Sequence, residues 1–133
     1  MLLTEKDLIS NTFVSHTKKT LTKGEILTYY IDDSYGNNSI DRYRADNDNI
    51  IYQDTIKTFN IGHDLEEKKF IRDTFNKLDD LIDLDFVEMS HNNGSMLDIY
   101  HINYSSTFNE NVVGQVLAQR SLLGSWWDIF WKD

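Results

Sequence analysis

Four histidines and a surplus of carboxylates are the side chains that could carry acid–base or metal chemistry in this chain. The histidines are His16, His63, His91 and His101, and no two of them stand three to five residues apart. A zinc-binding helix needs two histidines at that spacing, because the spacing places both imidazoles on one helical face. The sequence therefore predicts no helical zinc pair, and each histidine is interpreted as an ordinary hydrogen-bonded residue.

Acidic residues are so abundant that close pairs of carboxylates arise by chance. Asp83, Asp85 and Glu88 cluster near one predicted helix-to-strand junction. A general acid or base needs apolar surroundings that shift its pKa, and the neighbouring sequence offers none. The run at 46–49 begins like a calcium loop, but Ile50 stands where the third oxygen ligand should be. Both acidic stretches are therefore interpreted as solvated surface.

Other catalytic motifs are also missing from the sequence. It contains no glycine-rich phosphate loop and no G-x-S-x-G nucleophile elbow. It contains no cysteine, which excludes thiolate nucleophiles, disulfides and cysteine-type zinc sites together. Spacing alone identifies no catalytic residue and no metal ligand.

Charge restricts the partners of this protein. The chain has 13 basic and 22 acidic residues, which give a net charge of −9. An acidic surface repels phosphate backbones and anionic lipids, so we expect no nucleic-acid partner and no membrane partner. Charges at positions 5–7 interrupt the apolar run that a signal peptide would need, so none is predicted at the N-terminus. The location stays undetermined, since export by a non-classical route and a place in a virion are both open.

The clearest predicted element is a helix over residues 63–82. Asp64 is a suitable N-cap, and Glu67 stands three residues later, where it completes a capping box. The apolar residues of this segment follow a 4-3-4 spacing that places them on one helical face. They are Ile71, Phe75, Leu78 and Ile82. We expect this face to pack on a sheet, with Phe75 buried between the two.

The remaining elements are predicted as strands. Residues 1–24 are polar and are interpreted as an N-terminal arm, whereas residues 25–133 form a single domain. A strand over 25–32 is followed by a long connection over 33–62, with one short strand at 50–52. Four strand-like segments follow the helix, at 84–90, 96–105, 111–119 and 126–132. The predicted fold class is α+β, with one long amphipathic helix packed on a mixed, mainly antiparallel sheet of about four to five strands.

The order of these segments resembles a known family. An amphipathic helix followed by LDFVEMS, SMLDIYHINYS, VVGQVLAQ and GSWWDIFWKD is similar to the N-terminal subdomain of metzincin zinc peptidases, in particular their serralysin and matrixin branches. The resemblance covers about residues 25–133. The matching positions are Leu27 to Ile31, Leu84, Phe86, Glu88, Leu97, Asp98, Ile99, Gly114, Val116, Ala118, and Trp127 to Trp131.

The resemblance implies a peptidase fold without its chemistry. In the family, the last of these strands leads to a helix bearing H-E-x-x-H-x-x-G-x-x-H, which supplies the zinc ligands and the general base. This sequence has no such motif. Without the motif, the resemblance implies a non-catalytic protein-binding or structural module that has no cofactor. A component of a viral particle or of another large assembly is an example. The alternative is the N-terminal part of an active zinc peptidase whose motif lies downstream or in a partner chain, and zinc is expected only with that half.

The family's edge strand takes substrate as an added antiparallel strand. The resemblance therefore implies a peptide- or partner-binding edge in this chain. The corresponding residues are Val113, Gly114, Gln115, Val116, Leu117, Ala118 and Gln119. The alternative interpretation is a plain edge strand that its neighbours protect.

The densest aromatic cluster lies at residues 126–131. One set of these side chains can complete the core, and the other set, from Trp126, Phe130 or Trp131, has no predicted covering segment. Contiguous aromatic patches usually mark interfaces. We therefore predict that Trp126, Trp127, Phe130 and Trp131 contact another polypeptide, either further copies of this chain or a different protein. The alternative is that the N-terminal arm covers them.

Overall fold

The structure is a computed structural model that describes residues 26–47, 49–82, 84–109, 111–122 and 124–132. The predicted N-terminal arm, residues 1–24, lies outside the described residues. In chain order the elements are β1 (Ile26–Ile31), β2 (Gly36–Asp46), β3 (Asn49–Asn60), α1 (Leu65–Asp79), β4 (Asp85–Met89), β5 (Leu97–Ser105), β6 (Gly114–Ser121) and β7 (Gly124–Trp131).

The strands form one mixed sheet around β5. Strand β1 is parallel to both β4 and β5, and β7 is parallel to β5 on the other side. Strand β6 pairs antiparallel with β7 and completes the order β4-β1-β5-β7-β6. The remaining strands, β2 and β3, form a long antiparallel hairpin. Strand β3 pairs with the second half of β5, beyond the stretch that β1 occupies.

The predicted fold class is wrong. The structure is mostly strand, with seven strands rather than four to five, and its helix has 15 residues rather than the 20 predicted. Among the described residues, three strand pairings are parallel and three are antiparallel, so the sheet is not mainly antiparallel.

The error comes mainly from residues 33–62, which form the β2–β3 hairpin rather than a long connection. Strand β2 is rich in residues of low strand propensity, such as glycine, asparagine and aspartate. Its stability comes from cross-strand pairs, which a single sequence segment does not reveal. Arg42 forms an ion pair with Asp54, and Tyr43 packs edge-on against Tyr52 at a ring distance of 6.0 Å.

Different elements cover the two faces of the sheet. Helix α1 covers one face, where Ile71 and Phe75 pack against the cluster of Tyr29, Ile31 and Ile99. The β2–β3 hairpin contributes to a second apolar cluster on strands β5, β6 and β7. That cluster comprises Ile56, Tyr100, Ile102, Leu117 and Phe130. The core is therefore divided into a helix side and a hairpin side.

Helix α1 begins as the capping signal predicts. The Glu67 backbone N–H donates to Asp64 Oδ1 at 2.8 Å, and Asp64 N–H donates back to Glu67 Oε2 at 2.7 Å. This capping box is confirmed. None of the α1 residues is fully buried, so the helix remains partly exposed to solvent. The expectation that Phe75 is buried is therefore wrong, because its side chain is only partly buried.

Replacing Phe75 with alanine should lower the free energy of unfolding by about 2–3 kcal/mol, less than for a fully buried phenylalanine. The Phe75 ring lies 4.3 Å from the ring centroid of Tyr29 and 4.9 Å from that of Phe86, so its loss removes two aromatic contacts. Reversible urea unfolding measures the change. Phe70, on the same helix but 73% exposed, is the control, and Phe70→Ala should change stability by less than about 0.5 kcal/mol. Equal losses in the two variants would contradict the packing of α1 on this face.

Candidate functional site

The predicted peptide-binding strand, β6, lies at an edge of the sheet. It is antiparallel to β7, with Gly114 opposite Trp131 and Ser121 opposite Gly124. Within the described ranges, β6 pairs with no other strand. Val113 precedes the strand and accepts the backbone N–H of Lys132 at 2.8 Å. Residues 113–119 therefore lie along one sheet edge, where an added strand would have access to the backbone.

The side chains of β6 alternate between the core and solvent. Leu117 and Gln119 are buried on the hairpin side, whereas Val116 and Ala118 are exposed on the helix side. Val113 and Gly114 are also exposed, and Gln115 is partly buried. Residues 113–119 contain none of the charges or prolines that usually prevent edge-to-edge pairing, and Arg120 is the one charged residue of β6.

Gln119 fastens β6 beneath the hairpin. Its Nε2 donates to the backbone oxygen of Asp41 at 3.1 Å and to Asp128 Oδ2 at 2.9 Å. Its Oε1 accepts the backbone N–H of Tyr43 at 3.3 Å. Gln119 is thus a buried structural residue rather than an accessible contact for a partner.

The aromatic residues of β7 are divided between the core and the surface. Phe130 is 1% exposed and stacks on Tyr100 at a ring distance of 5.2 Å, and Trp127 is also buried. The expectation that no segment of this chain covers Phe130 is wrong, because the hairpin supplies Ile56 to the same cluster. Trp126 and Trp131 are partly exposed. Contact of these four residues with another polypeptide stays a prediction.

Two histidines that are far apart in the sequence meet around Trp131. The His101 ring stacks on the indole at 3.6 Å, and the indole Nε1–H donates to His63 Nε2 at 2.9 Å. His63 Nε2 must carry a lone pair, so its Nδ1–H donates to the backbone oxygen of Asp32 at 2.7 Å. Burial lowers the pKa of His63, which keeps the ring neutral. His63 Nε2 holds the indole of Trp131 and its Nδ1–H is tied to the Asp32 backbone, so both nitrogens are used and this ring acts as a structural clamp.

A buried pair of carboxyl groups lies on the opposite face. Asp98 of β5 and Asp128 of β7 are register partners, and both are almost fully buried. Ser95 donates to Asp98, while Asp128 accepts from Gln119 and from Trp126 Nε1 at 3.2 Å. Among the described residues, neither carboxyl forms an ion pair with a lysine or arginine.

Burial has a strong effect on this pair. It raises the pKa of Asp98 to about 7 and the pKa of Asp128 to about 6, because the apolar surroundings penalise the charged forms. Interacting carboxyls of this kind titrate as a pair, and they hold about one proton between them at a pH midway between the two values. Sequence reasoning missed the pair. The only available signal was an aspartate between apolar residues in both LDI and WDI, at positions that become neighbours once β5 pairs with β7.

Among the described residues, there is no group of three or more histidine, aspartate or glutamate side chains that could hold a metal ion. Glu88, one of the clustered acids, forms a two-point ion pair with Arg72 at 2.7 and 2.8 Å. Asp83 lies outside the described residues.

Comparisons with protein-family models, with curated proteins and with solved structures return no match for this chain. The helix that the described residues form, α1, has neither the length nor the apolar content that a membrane span requires. The function is therefore argued from the geometry of the sheet edge and of the aromatic strand beside it.

Proposed function

We propose that this chain is a non-catalytic protein-binding module that takes an extended segment of its partner as an added strand on β6. The observation that carries the proposal is the outer edge of β6, which pairs with no described strand and lies beside the exposed Val116 and Ala118 of the helix side. Strand addition gains affinity from backbone hydrogen bonds and specificity from alternate side chains. The exposed apolar side chains would contact every second residue of the added strand.

The resemblance to the N-terminal subdomain of metzincin peptidases supports this proposal. The segments that carry the resemblance are β1, α1, β4, β5, β6 and β7. Their five strands are neighbours in the order β4-β1-β5-β7-β6, and α1 packs on one face. The segment matched to the substrate-binding strand of the family, β6, is one of the edge strands. The β2–β3 hairpin contributes none of the matched residues.

The missing catalytic motif separates two versions of the proposal. Without H-E-x-x-H, the chain has no pair of histidines to bind zinc and no glutamate to activate water. We therefore propose a binding or structural role, for example in a viral particle or another large assembly, in which Trp126 and Trp131 can extend the contact. An H-E-x-x-H motif found downstream or in a partner chain, with chelator-sensitive cleavage only when that half is present, would instead support the alternative, the N-terminal part of an active zinc peptidase.

Val116→Lys should weaken binding of a strand-adding peptide by at least about tenfold, because it places a charge on the exposed apolar side of β6. The probe is a peptide selected from a random-sequence display library against the purified chain, and its affinity is measured by calorimetry. Val116 is 53% exposed, so the variant should fold normally.

The opposite sheet edge provides a matched control for this prediction. Val87 lies on β4 and is 46% exposed, so Val87→Lys adds the same charge at the other edge. Its affinity for the peptide should be unchanged. Backbone amide shifts induced by the peptide should be largest at residues 113–119. The proposal would be contradicted if the amide shifts were largest on β4. It would also be contradicted if the Val116→Lys variant bound the peptide as tightly as the unmodified chain does.

A further inference from the structure

An apolar cavity lies between α1 and the helix side of the sheet. Its volume is about 460 Å³, within the range of roughly 300–1,000 Å³ that small-molecule sites occupy. Its walls are formed by α1 and by strands β5 and β7. The described lining residues are Glu66, Glu67, Phe70, Ile71, Ile99 and Trp131.

The wall that Trp131 contributes is fixed in place. Its indole stacks on His101 at 3.6 Å, and its N–H donates to His63 at 2.9 Å. A side chain held by two contacts of different kinds loses little further freedom when a ligand arrives, which favours binding. Phe70 forms the opposite, outer wall and is largely exposed, so a ligand would cover apolar surface that now contacts water.

The charge around the mouth of the cavity is negative. Glu66 and Glu67 line it, and Asp64 caps the same helical turn. The two lysines that follow Glu67 on α1 both form ion pairs, Lys68 with Asp33 and Lys69 with Asp73. No lysine or arginine is among the described lining residues. An anionic lipid or fatty acid would therefore be repelled, and a cation would be attracted.

We propose that this cavity binds an elongated apolar molecule that carries one positive charge, with a primary alkyl amine as the simplest representative. The alkyl chain lies against Ile71, Ile99 and the indole of Trp131. The ammonium group remains at the mouth, where the Glu66 carboxylate attracts it. The aromatic ring of Phe70 covers the chain from the solvent side.

Calorimetric titration with three eight-carbon probes tests this proposal. Octylamine, octanol and octanoate each contain eight carbons and differ in their polar head group and its charge. We expect octylamine to bind about tenfold more tightly than octanoate, with octanol between them. Phe70→Ala should weaken all three severalfold, whereas Glu66→Gln should weaken octylamine alone, by about two- to fivefold. Leu81→Ala, an exposed position beyond the end of α1, should change none of them.

The location of binding is read from backbone amide shifts, which should concentrate at residues 66–71 and 129–131. Shifts confined to residues 113–119 would place the probe on the β6 edge and overturn the proposal. It would also be overturned by octylamine binding that fails to saturate at millimolar concentration, or by octanoate binding as tightly as octylamine. Neither Val116 nor Val87 is among the described lining residues, so octylamine should bind the Val116→Lys and Val87→Lys variants unchanged, which separates this result from strand addition to β6.

Discussion

Replacing Phe130 with alanine should lower the free energy of unfolding by about 3–5 kcal/mol, the largest stability loss that we expect from a single truncation in this chain. Phe130 is 1% exposed and stacks on Tyr100, and it packs with Ile56 from the hairpin and Leu117 from the edge strand. Its removal leaves a cavity between β7 and the hairpin that neither element can close without shifting. Reversible urea unfolding monitored by circular dichroism measures the loss.

The same experiment separates a core role for Phe130 from an interface role. Leu122, nearby in the chain and 90% exposed, is the control, and Leu122→Ala should change stability by less than about 0.5 kcal/mol. Light scattering on both variants reports assembly. A Phe130→Ala variant that unfolds like the unmodified chain but loses an oligomeric state would show that this ring serves an interface rather than the core.

Stability should fall as the pH rises from 5 to 8, because of the buried pair Asp98 and Asp128. Their pKa values in the fold, about 7 and about 6, lie above the ordinary value of 3.8. The fold therefore favours the protonated forms, and this stability is fully present below about pH 4 and is lost as the pH rises through 6 and 7. For Asp98 alone, the difference in pKa corresponds to at most about 4 kcal/mol. Urea unfolding at several pH values measures the slope.

Asp98→Asn should remove most of this slope and should be more stable than the unmodified chain at pH 8, by about 2 kcal/mol. The amide keeps an oxygen that accepts from Ser95 and gains an N–H that can donate to Asp128. The lowered pKa of His63 acts in the opposite direction, since its contribution is lost as the pH falls. His63 is present in both the Asp98→Asn variant and the unmodified chain, so its contribution cancels when their unfolding free energies are subtracted. Asp85 is exposed on β4, so the control variant Asp85→Asn should keep the full dependence of unfolding free energy on pH. An unchanged dependence in Asp98→Asn would refute the role of the pair.

Part of the fold could be predicted because its determinants are local. The N-cap at Asp64 and the capping box with Glu67 define the start of α1 within a single turn. The strands β1, β4, β5, β6 and β7 are short apolar or alternating segments bounded by turn residues, and they lie close to their predicted positions. The hairpin was missed because β2 and β3 depend on each other. Neither has a continuous apolar pattern, and their stabilising pair of Arg42 with Asp54 exists only once the strands align.

The candidate sites likewise include one feature that the sequence indicates and others that depend on strand pairing. The edge position of β6 was implied by the resemblance of its sequence to a family strand. The clamp of His63 and His101 on Trp131, and the pairing of Asp98 with Asp128, depend on which strands are neighbours. Periodicity indicates which side of a strand a residue occupies, but it does not indicate the adjoining strand. These clusters could therefore be found only after the strand order was known.

The position of β7 between β5 and β6 has a consequence for synthesis of the protein. Strand β6 is translated before β7, yet β7 is the only described strand with which it pairs. Until residues 124–131 have left the ribosome, one edge of β5 is open and Leu117 has no completed core to enter. The close pairing of Ser121 with Gly124 allows β6 and β7 to associate locally within microseconds, so they can join β5 as a unit. A nascent chain interrupted before residue 124 would expose an unpaired strand and an open sheet edge, which are the features that chaperones bind and that lead to aggregation.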